Sequence, residues 1–363
     1  MKLDPTKVVM LIPSLEPDER LPVYARALLD RGFARMVIVD DGSSEAYQEI
    51  FSRLDAMEGV TVVHHEVNKG KGVALKTGYA HIAQAMPEAV GVITADADGQ
   101  HTVEDCWRLA EALCEGKDEM YLGSRDFDLD HVPPKSRFGN KTTSAAFKLF
   151  YGQWLPDTQT GLRAFPAGWL QFMQDVKGER FEYEMNVLIA CARDRKAMVP
   201  ITIETVYENQ NAGTHFKPVR DSLRIYKVIL GNFITFSAAS LASGLLDFIL
   251  LTLLGTFVFH NLTHGAGLAK IIARCISAPV NFLLNSKYVF GKNIRPRTFI
   301  RYIILAVLIM LVSSVLVDQI MIHLNLPKFI IGIVGLLVDL VLYFVSYRVQ
   351  SQWVFQEEKK NAE

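Results

Sequence analysis

The sequence predicts an α/β domain built on a mainly parallel sheet, followed by an all-α bundle of four transmembrane helices. Three observations carry this. Short apolar runs alternate with helical stretches in the first part of the chain. Four long, nearly uncharged stretches follow. The charge also divides: of 38 Lys+Arg and 39 Asp+Glu, the part after residue 228 holds 11 and 6, so it is +5 and the part before it is −6. A chain of 363 residues exceeds one ordinary domain. A net charge of −1 excludes nucleic-acid binding by bulk electrostatics. Half of the residues are apolar, which excludes a disordered chain. Cys106, Cys114, Cys191 and Cys275 form no CxxC pair and read as free buried thiols in a reducing compartment.

The elements follow in order. VVMLIP is a short apolar run ending in Pro13, and residues 19–31 have helical spacing. MVIVDDG is a strand ending in an acidic turn, and residues 45–56 are again helical. VTVVHHEV is a strand, after which NKGKG opens a helix running to about Met86. AVGVITADADG is a strand ending in acids, residues 103–114 are helical, and MYLGSR is another strand. Strands alternating with helices imply βαβ units and right-handed crossovers. In such sheets ligands bind outside the carboxyl ends of the strands, where the polar clusters of this sequence fall.

The four apolar stretches lie at about 232–259, 268–290, 302–324 and 329–347. About 20 apolar residues suffice to cross a bilayer as a helix. The alternative, a buried bundle in a soluble protein, is disfavoured because core helices seldom stay apolar all round. The link at 291–301 holds Lys292, Arg295, Arg297 and Arg301, whereas the other two links hold only Lys328. The Lys/Arg bias therefore places that link, the N-terminal domain and the C-terminus on the cytoplasmic side of the plasma membrane. VVMLIP is too short for a secretory signal. The expected domains are a cytoplasmic domain at 1–215, a juxtamembrane amphipathic segment at 216–230 and a transmembrane domain at 231–356.

Three clusters carry chemistry. Asp40-Asp41-Gly42 sits at a strand end, where carboxylates accept hydrogen bonds from a ribose or a base, or simply form a tight turn. Asn68-Lys69-Gly70-Lys71-Gly72 enters a helix whose positive end suits a phosphate; the alternative is an ordinary helix-start loop. Ala95-Asp96-Ala97-Asp98-Gly99-Gln100-His101 supplies hard oxygen ligands suited to Mg²⁺ or Mn²⁺, with a solvated acidic turn as the alternative.

The order VDDGSS, NKGKGVALKTGY, ADADGQH, GSRDF and DTQTGLRAF resembles an inverting family-2 glycosyltransferase, more narrowly the polyprenyl (dolichyl)-phosphate sugar synthases, over about residues 7–225. The tail, with NFLLNSKYVF, is similar to the GtrA-like membrane family over about 230–356. In one departure, PSLEPDE stands where the family often has a PxYNE-like segment, so Glu16 replaces the usual Asn.

The resemblance implies a GT-A type, Rossmann-like sheet. It also implies a metal-dependent transfer from a nucleotide sugar to polyprenyl phosphate (undecaprenyl phosphate in a bacterium), with inversion. UDP-glucose is favoured as donor and GDP-mannose is the second choice. The metal ligands it implies are Asp98 and Gln100, with Asp96 on the sugar or the metal shell. Pro13, Glu16, Asp40, Asp41, Lys71, Asp96 and Ala97 would bind the nucleotide sugar. The acceptor is already an anion and needs cations near the donor. Arg125, Arg137 and Lys141 are candidates, Arg125 and Arg137 foremost, with His215, Lys217 and Arg220 for acceptor or diphosphate, although basic residues near a membrane also bind lipid heads. Asp157 would orient acceptor or sugar, or cap a loop. Glu182 and Glu184 would read sugar hydroxyls, or form one face of a solvated helix. The stretch 137–154 is either an interfacial amphipathic helix or a core helix with a charged face. The partners are thus a nucleotide sugar, polyprenyl phosphate and the bilayer, with no nucleic acid and with room for a homo-oligomer.

Two rival functions remain at this stage. A processive polysaccharide synthase would carry a QxxRW motif, which this sequence lacks. A lipid-linked-sugar translocator with an accessory transferase domain would use polar residues within the membrane, for which Asp247, Arg274, Asp318 and Asp339 are the candidates.

Overall fold

The computed structural model describes residues 3–129, 132–204, 218–258, 265–290, 295–324 and 331–355. The chain forms two compact units, Met1–Ile229 and Leu230–Glu363.

The first unit is built on a seven-stranded sheet. Its strands are β1 (Val8–Ser14), β2 (Arg35–Asp40), β3 (Val60–His64), β4 (Gly91–Thr94), β5 (Glu119–Arg125), β6 (Arg163–Pro166) and β7 (Ala197–Ile203). The spatial order is β3-β2-β1-β4-β6-β5-β7. All neighbours are parallel except β6, which runs antiparallel to both β4 and β5. Its helices are α1 (Arg20–Arg31), α2 (Gln48–Asp55), α3 (Lys71–Ala85), α4 (Val103–Leu113), α5 (Pro134–Tyr151), α6 (Leu170–Asp175) and α7 (Glu182–Arg193).

Val8 to Ile12 are buried without alternation, as expected where helices cover both faces of a sheet. Val8, Met10 and Ile12 join one core with Leu21 and Leu28 of α1, Phe51 and Leu54 of α2, and Leu109 and Leu113 of α4. Leu11 points to the other face, against α3. A Cβ on Gly78 would lie 2.2 Å from Leu11 Cδ1, so this helix approaches the sheet only because position 78 has no side chain.

The first five strands and the first four helices match the sequence expectation. β6 and β7 escape it for a physical reason. β6 is four residues long and ends in Pro166. β7 contains Pro200, a poor strand signal that is tolerated because β7 is the last strand in the order and needs no partner on its outer edge.

The second unit contains α8 (Pro218–Leu253, whose first turns belong to the first unit), α9 (Gly265–Leu284), α10 (Pro296–His323) and α11 (Ile331–Val349). α8, α9 and α11 each pass into a π-helical turn, at Leu254–Val258, Asn285–Val289 and Gln350–Val354. Tyr226–Leu250 and Pro296–Ser313 are long and apolar enough to cross a membrane. Much of the apolar surface faces outward, including Leu241, Phe248, Val307, Leu311 and Val341. Ser277, Asn281 and Asn285 recur every four residues along one face of α9. Ser277 Oγ donates to Asp247 of α8 at 2.7 Å, Asn281 Nδ2 bonds Tyr302 Oη of α10 at 3.2 Å, and Asn285 Nδ2 bonds Gln350 Oε1 at 3.2 Å. The side chains of Arg274, Asp318 and Asp339 lie outside the described residues. Cys106, Cys114 and Cys191 are buried as expected, but Cys275 is exposed, because α9 turns that position away from its polar face.

Candidate active site

The polar clusters converge at the carboxyl ends of β1, β2 and β4. Asp40 and Asp41 close β2 and are both buried. Asp40 accepts from the Ser43 backbone N–H at 2.8 Å and pairs with His64 Nδ1 at 2.9 Å. Burial disfavours its charge, but these bonds outweigh that and lower its pKa. Asp41 organises the next loop. Its Oδ1 accepts from the Lys69 N–H at 2.9 Å and meets His65 Nδ1 at 2.8 Å, while its Oδ2 accepts from the Gly70 N–H at 2.8 Å. Gly42, at φ +78°, keeps this turn tight; a Cβ there would lie 2.3 Å from the Val67 carbonyl carbon. Pro13 is the one half-buried residue of an otherwise buried β1, and Glu16 is exposed at φ 49° with its N–H donating to Ser43 Oγ at 2.8 Å.

The loop that Asp41 organises starts α3 with Lys71. Lys71 Nζ lies 2.6 Å from Asp96 Oδ1 and 3.0 Å from Glu184 of α7. Burial alone would depress the Lys71 pKa, but the two carboxylates outweigh it and raise it. In the same exchange Lys71 overrides the burial of Asp96 and holds its pKa low. Asp96 and Asp98 thus differ. Burial, with the negative charge of Asp96 beside it, raises the Asp98 pKa. The only bond described for the Asp98 carboxylate is from the Gln100 N–H, at 3.1 Å. His101 Nδ1 accepts from the Asp96 N–H at 3.2 Å, which leaves the ring proton on Nε2, and burial lowers its pKa.

Arg125, at the end of β5, and Asp157 form a bidentate pair, with Nε at 2.7 Å from Oδ2 and Nη2 at 3.3 Å from Oδ1. Asp157 is buried and also accepts from the Gln159 N–H at 2.9 Å, so it both anchors the arginine and turns the loop after it. Arg137 lies on α5 and donates from Nε to the Phe127 carbonyl and from Nη2 to the Leu129 carbonyl, each at 2.8 Å. Ala97 is half-buried between Asp96 and Asp98. His215 and Lys217 lie outside the described residues, as does the side chain of Arg220.

A small polar cleft is lined by Asp96, Gln100, His101, Arg125, the stretch from Gln159 to Gly161, Ile203 and Glu204. Gly161 is shaped to this site: a Cβ there would lie 2.5 Å from Asp96 Oδ2. Sequence reasoning did not single out His101, Gln159, Gly161 or Glu204. Of these, His101 lay inside ADADGQH, and Gln159 and Gly161 lay inside DTQTGLRAF, without a role of their own. Glu204 follows β7, which the sequence concealed.

Asp96 and Gln100 line the cleft, and Asp98, two residues from each in sequence, accepts from the Gln100 N–H beside it. These are hard oxygen donors, and they fit a divalent cation that completes its shell with phosphate oxygens or water. Among the described residues no three His, Cys, Asp or Glu side chains converge to hold a metal by themselves.

Comparison with known proteins accords with this geometry. Residues 18–171 match the family model Glycosyl transferase family 2, and residues 235–355 match the GtrA/DPMS transmembrane domain. The chain is 25% identical over 217 residues to the UDP-N-acetylglucosamine–dolichyl-phosphate N-acetylglucosaminyltransferase of Methanococcus voltae, covering 55% of this chain and 86% of that protein. It is 27% identical over 222 residues to the glycosyltransferase AglJ of Haloferax volcanii, covering 60% of this chain and 69% of that protein. Among solved structures, glucosyl-3-phosphoglycerate synthase from Mycobacterium tuberculosis is similar at a TM-score of 0.46 and 14% identity, over 62% of this chain and 77% of that one. The seven-stranded mixed sheet is GT-A-like, the second unit marks a membrane protein, and the chain is a family-2 glycosyltransferase domain joined to a GtrA/DPMS transmembrane domain.

Proposed function

We propose that the chain moves a sugar from a nucleotide sugar to polyprenyl phosphate, giving a polyprenyl-phosphate sugar for envelope glycosylation. The carrying observation is the cleft that gathers Asp96, His101 and Arg125 at the strand ends. A paired transmembrane domain and one relative named for transfer to dolichyl phosphate support a lipid acceptor. UDP-glucose is the favoured donor, with GDP-mannose the alternative. The acceptor is undecaprenyl phosphate if the source is bacterial.

Asp98 and Gln100 would hold Mg²⁺ or Mn²⁺, with Asp96 beside them. The cation supplies charge neutralisation of the leaving diphosphate. The chain's own residues do the rest. Arg125, fixed by Asp157, presents a cation in the cleft for the anionic acceptor. His101, neutral with its proton on Nε2, offers a donor to the same space. A phosphate acceptor needs no strong general base, and a single displacement inverts the anomeric centre. The Lys/Arg bias supports a multi-pass plasma-membrane protein whose catalytic domain and C-terminus face the cytoplasm.

A transfer assay tests the reading. Detergent-purified chain receives polyprenyl phosphate, Mg²⁺ or Mn²⁺, and each radiolabelled nucleotide sugar in turn. Label is expected in the lipid phase, lost with a chelator or with Asp98→Ala. No lipid label from any donor sinks the reading, and retained anomeric configuration sinks its single displacement.

A further inference from the structure

We infer that Glu184 is a positioning residue of the glycosyl-transfer site, acting on Asp96 through Lys71. Both Glu184 oxygens lie 3.0 Å from Lys71 Nζ, and that nitrogen lies 2.6 Å from Asp96 Oδ1. The ammonium is thus held between two carboxylates that are 88 residues apart in sequence. None of the three is freely solvated; the Lys71 and Glu184 side chains are 17% and 13% exposed.

Each member has a separate anchor. Lys71 is placed by the loop that Asp41 ties down through Lys69 and Gly70. The Glu184 backbone carbonyl accepts from Arg163 Nη1 at 2.7 Å, and Arg163 Nε donates to the Thr160 carbonyl at 3.0 Å. The same buried arginine therefore ties α7 to the loop that lines the cleft. From that loop, Gly161 closes the other side of the Asp96 carboxylate. Asp96 is held by an ion pair on one flank and by backbone on the other. A lysine with one carboxylate partner would be free to swing about it. A second carboxylate on α7 restricts that freedom and holds the ammonium in place beside Asp96.

This inference rests on the proposed transfer reaction, and the experiment separates the two. Wild type, Glu184→Gln, Lys71→Met and the double variant are compared in kcat/KM for the transferred donor, with thermal unfolding as a control. Glu184→Gln keeps the side-chain volume and the carbonyl that Arg163 uses. It is expected to lower kcat/KM about tenfold, chiefly in kcat, by about the coupling seen for contacting residues. The double variant is expected to be no worse than Lys71→Met alone, because Glu184 acts only through that lysine. Wild-type kcat/KM in Glu184→Gln, or losses that multiply in the double variant, overturn the inference. If Glu184→Gln lowers the unfolding temperature, Lys71→Met with Glu184→Leu replaces the double variant, and the same non-additivity is required. If the wild type moves no sugar to polyprenyl phosphate, the reading of function falls instead. The cycle is then measured on calorimetric binding of UDP with Mg²⁺, with non-additive losses expected and additive ones overturning the inference.

Discussion

The two units bury polar side chains in opposite ways. In the first, buried carboxylates tie down loops: Asp41 holds the amides of Lys69 and Gly70, and Asp157 holds the Gln159 amide and Arg125. In the second, buried polar groups tie helix to helix: Ser277 to Asp247, Asn281 to Tyr302, Asn285 to Gln350. The solvent explains the difference. An α/β unit sets its loops at the strand ends, and unpaired loop amides there need partners. A helix satisfies its own backbone, so its polar side chains are left to select neighbours, in a medium where apolar contact with lipid is as good as contact with protein. Polar burial therefore shapes a reaction site in one unit and specifies packing in the other.

The comparison breaks if the effects of substitution do not sort this way. The largest effect is expected at Asp98. Asp98→Ala should lower transfer about a thousandfold, as removing a group that stabilises developing charge does, with the unfolding temperature nearly unchanged. A change of less than tenfold would detach the site from the chemistry. Next comes Gly161→Ala, whose Cβ would press on Asp96. It should cost about a hundredfold in kcat/KM, because small misplacements at a reacting centre are expensive. Unfolding of the whole unit in that variant would make Gly161 a structural glycine instead. Asp41→Ala should act on stability as well as activity, by about 2 kcal/mol, since it strands two amides and a histidine. Urea unfolding followed by tryptophan fluorescence measures it. The smallest effect is expected for Asn285→Leu in the second unit, about 0.6 kcal/mol of stability with transfer unaltered. A transfer defect there, at normal stability, would give the membrane domain a share in the reaction.

Much of this was legible from the residues. Each strand end named by its acidic motif lies where the βαβ pattern placed it, and Arg125 and Asp157 meet though neither was assigned to the other. What sequence could not reveal was pairing across distance. Lys71 reads as a phosphate-binding lysine at a helix start, yet its ammonium is engaged by Asp96 and Glu184. Glu184 was one of two glutamates on a helix, read as sugar contacts or as a solvated face, and only the packing of α7 against the site distinguishes it from Glu182. Asp41 reads as a nucleotide contact because acids at strand ends commonly are; in the folded chain its oxygens already hold loop amides. The departure at Glu16 has a conformational side as well, because it adopts a left-handed backbone that Asn takes more readily.

The reversed strand β6 has a consequence for how the domain is born. β4 and β5 pair with each other nowhere; both wait for β6, which is synthesised after them. As the ribosome extends the chain, β3, β2, β1 and β4 can assemble while the free edge of β4 remains unpaired. At about 5–20 residues per second that edge stays open for several seconds. An open edge beside buried apolar residues is a template for wrong partners, so the nascent domain is most exposed to aggregation between the emergence of β4 and of β6. A chain stalled before Arg163 should recruit a chaperone that a chain stalled after Ile203 does not.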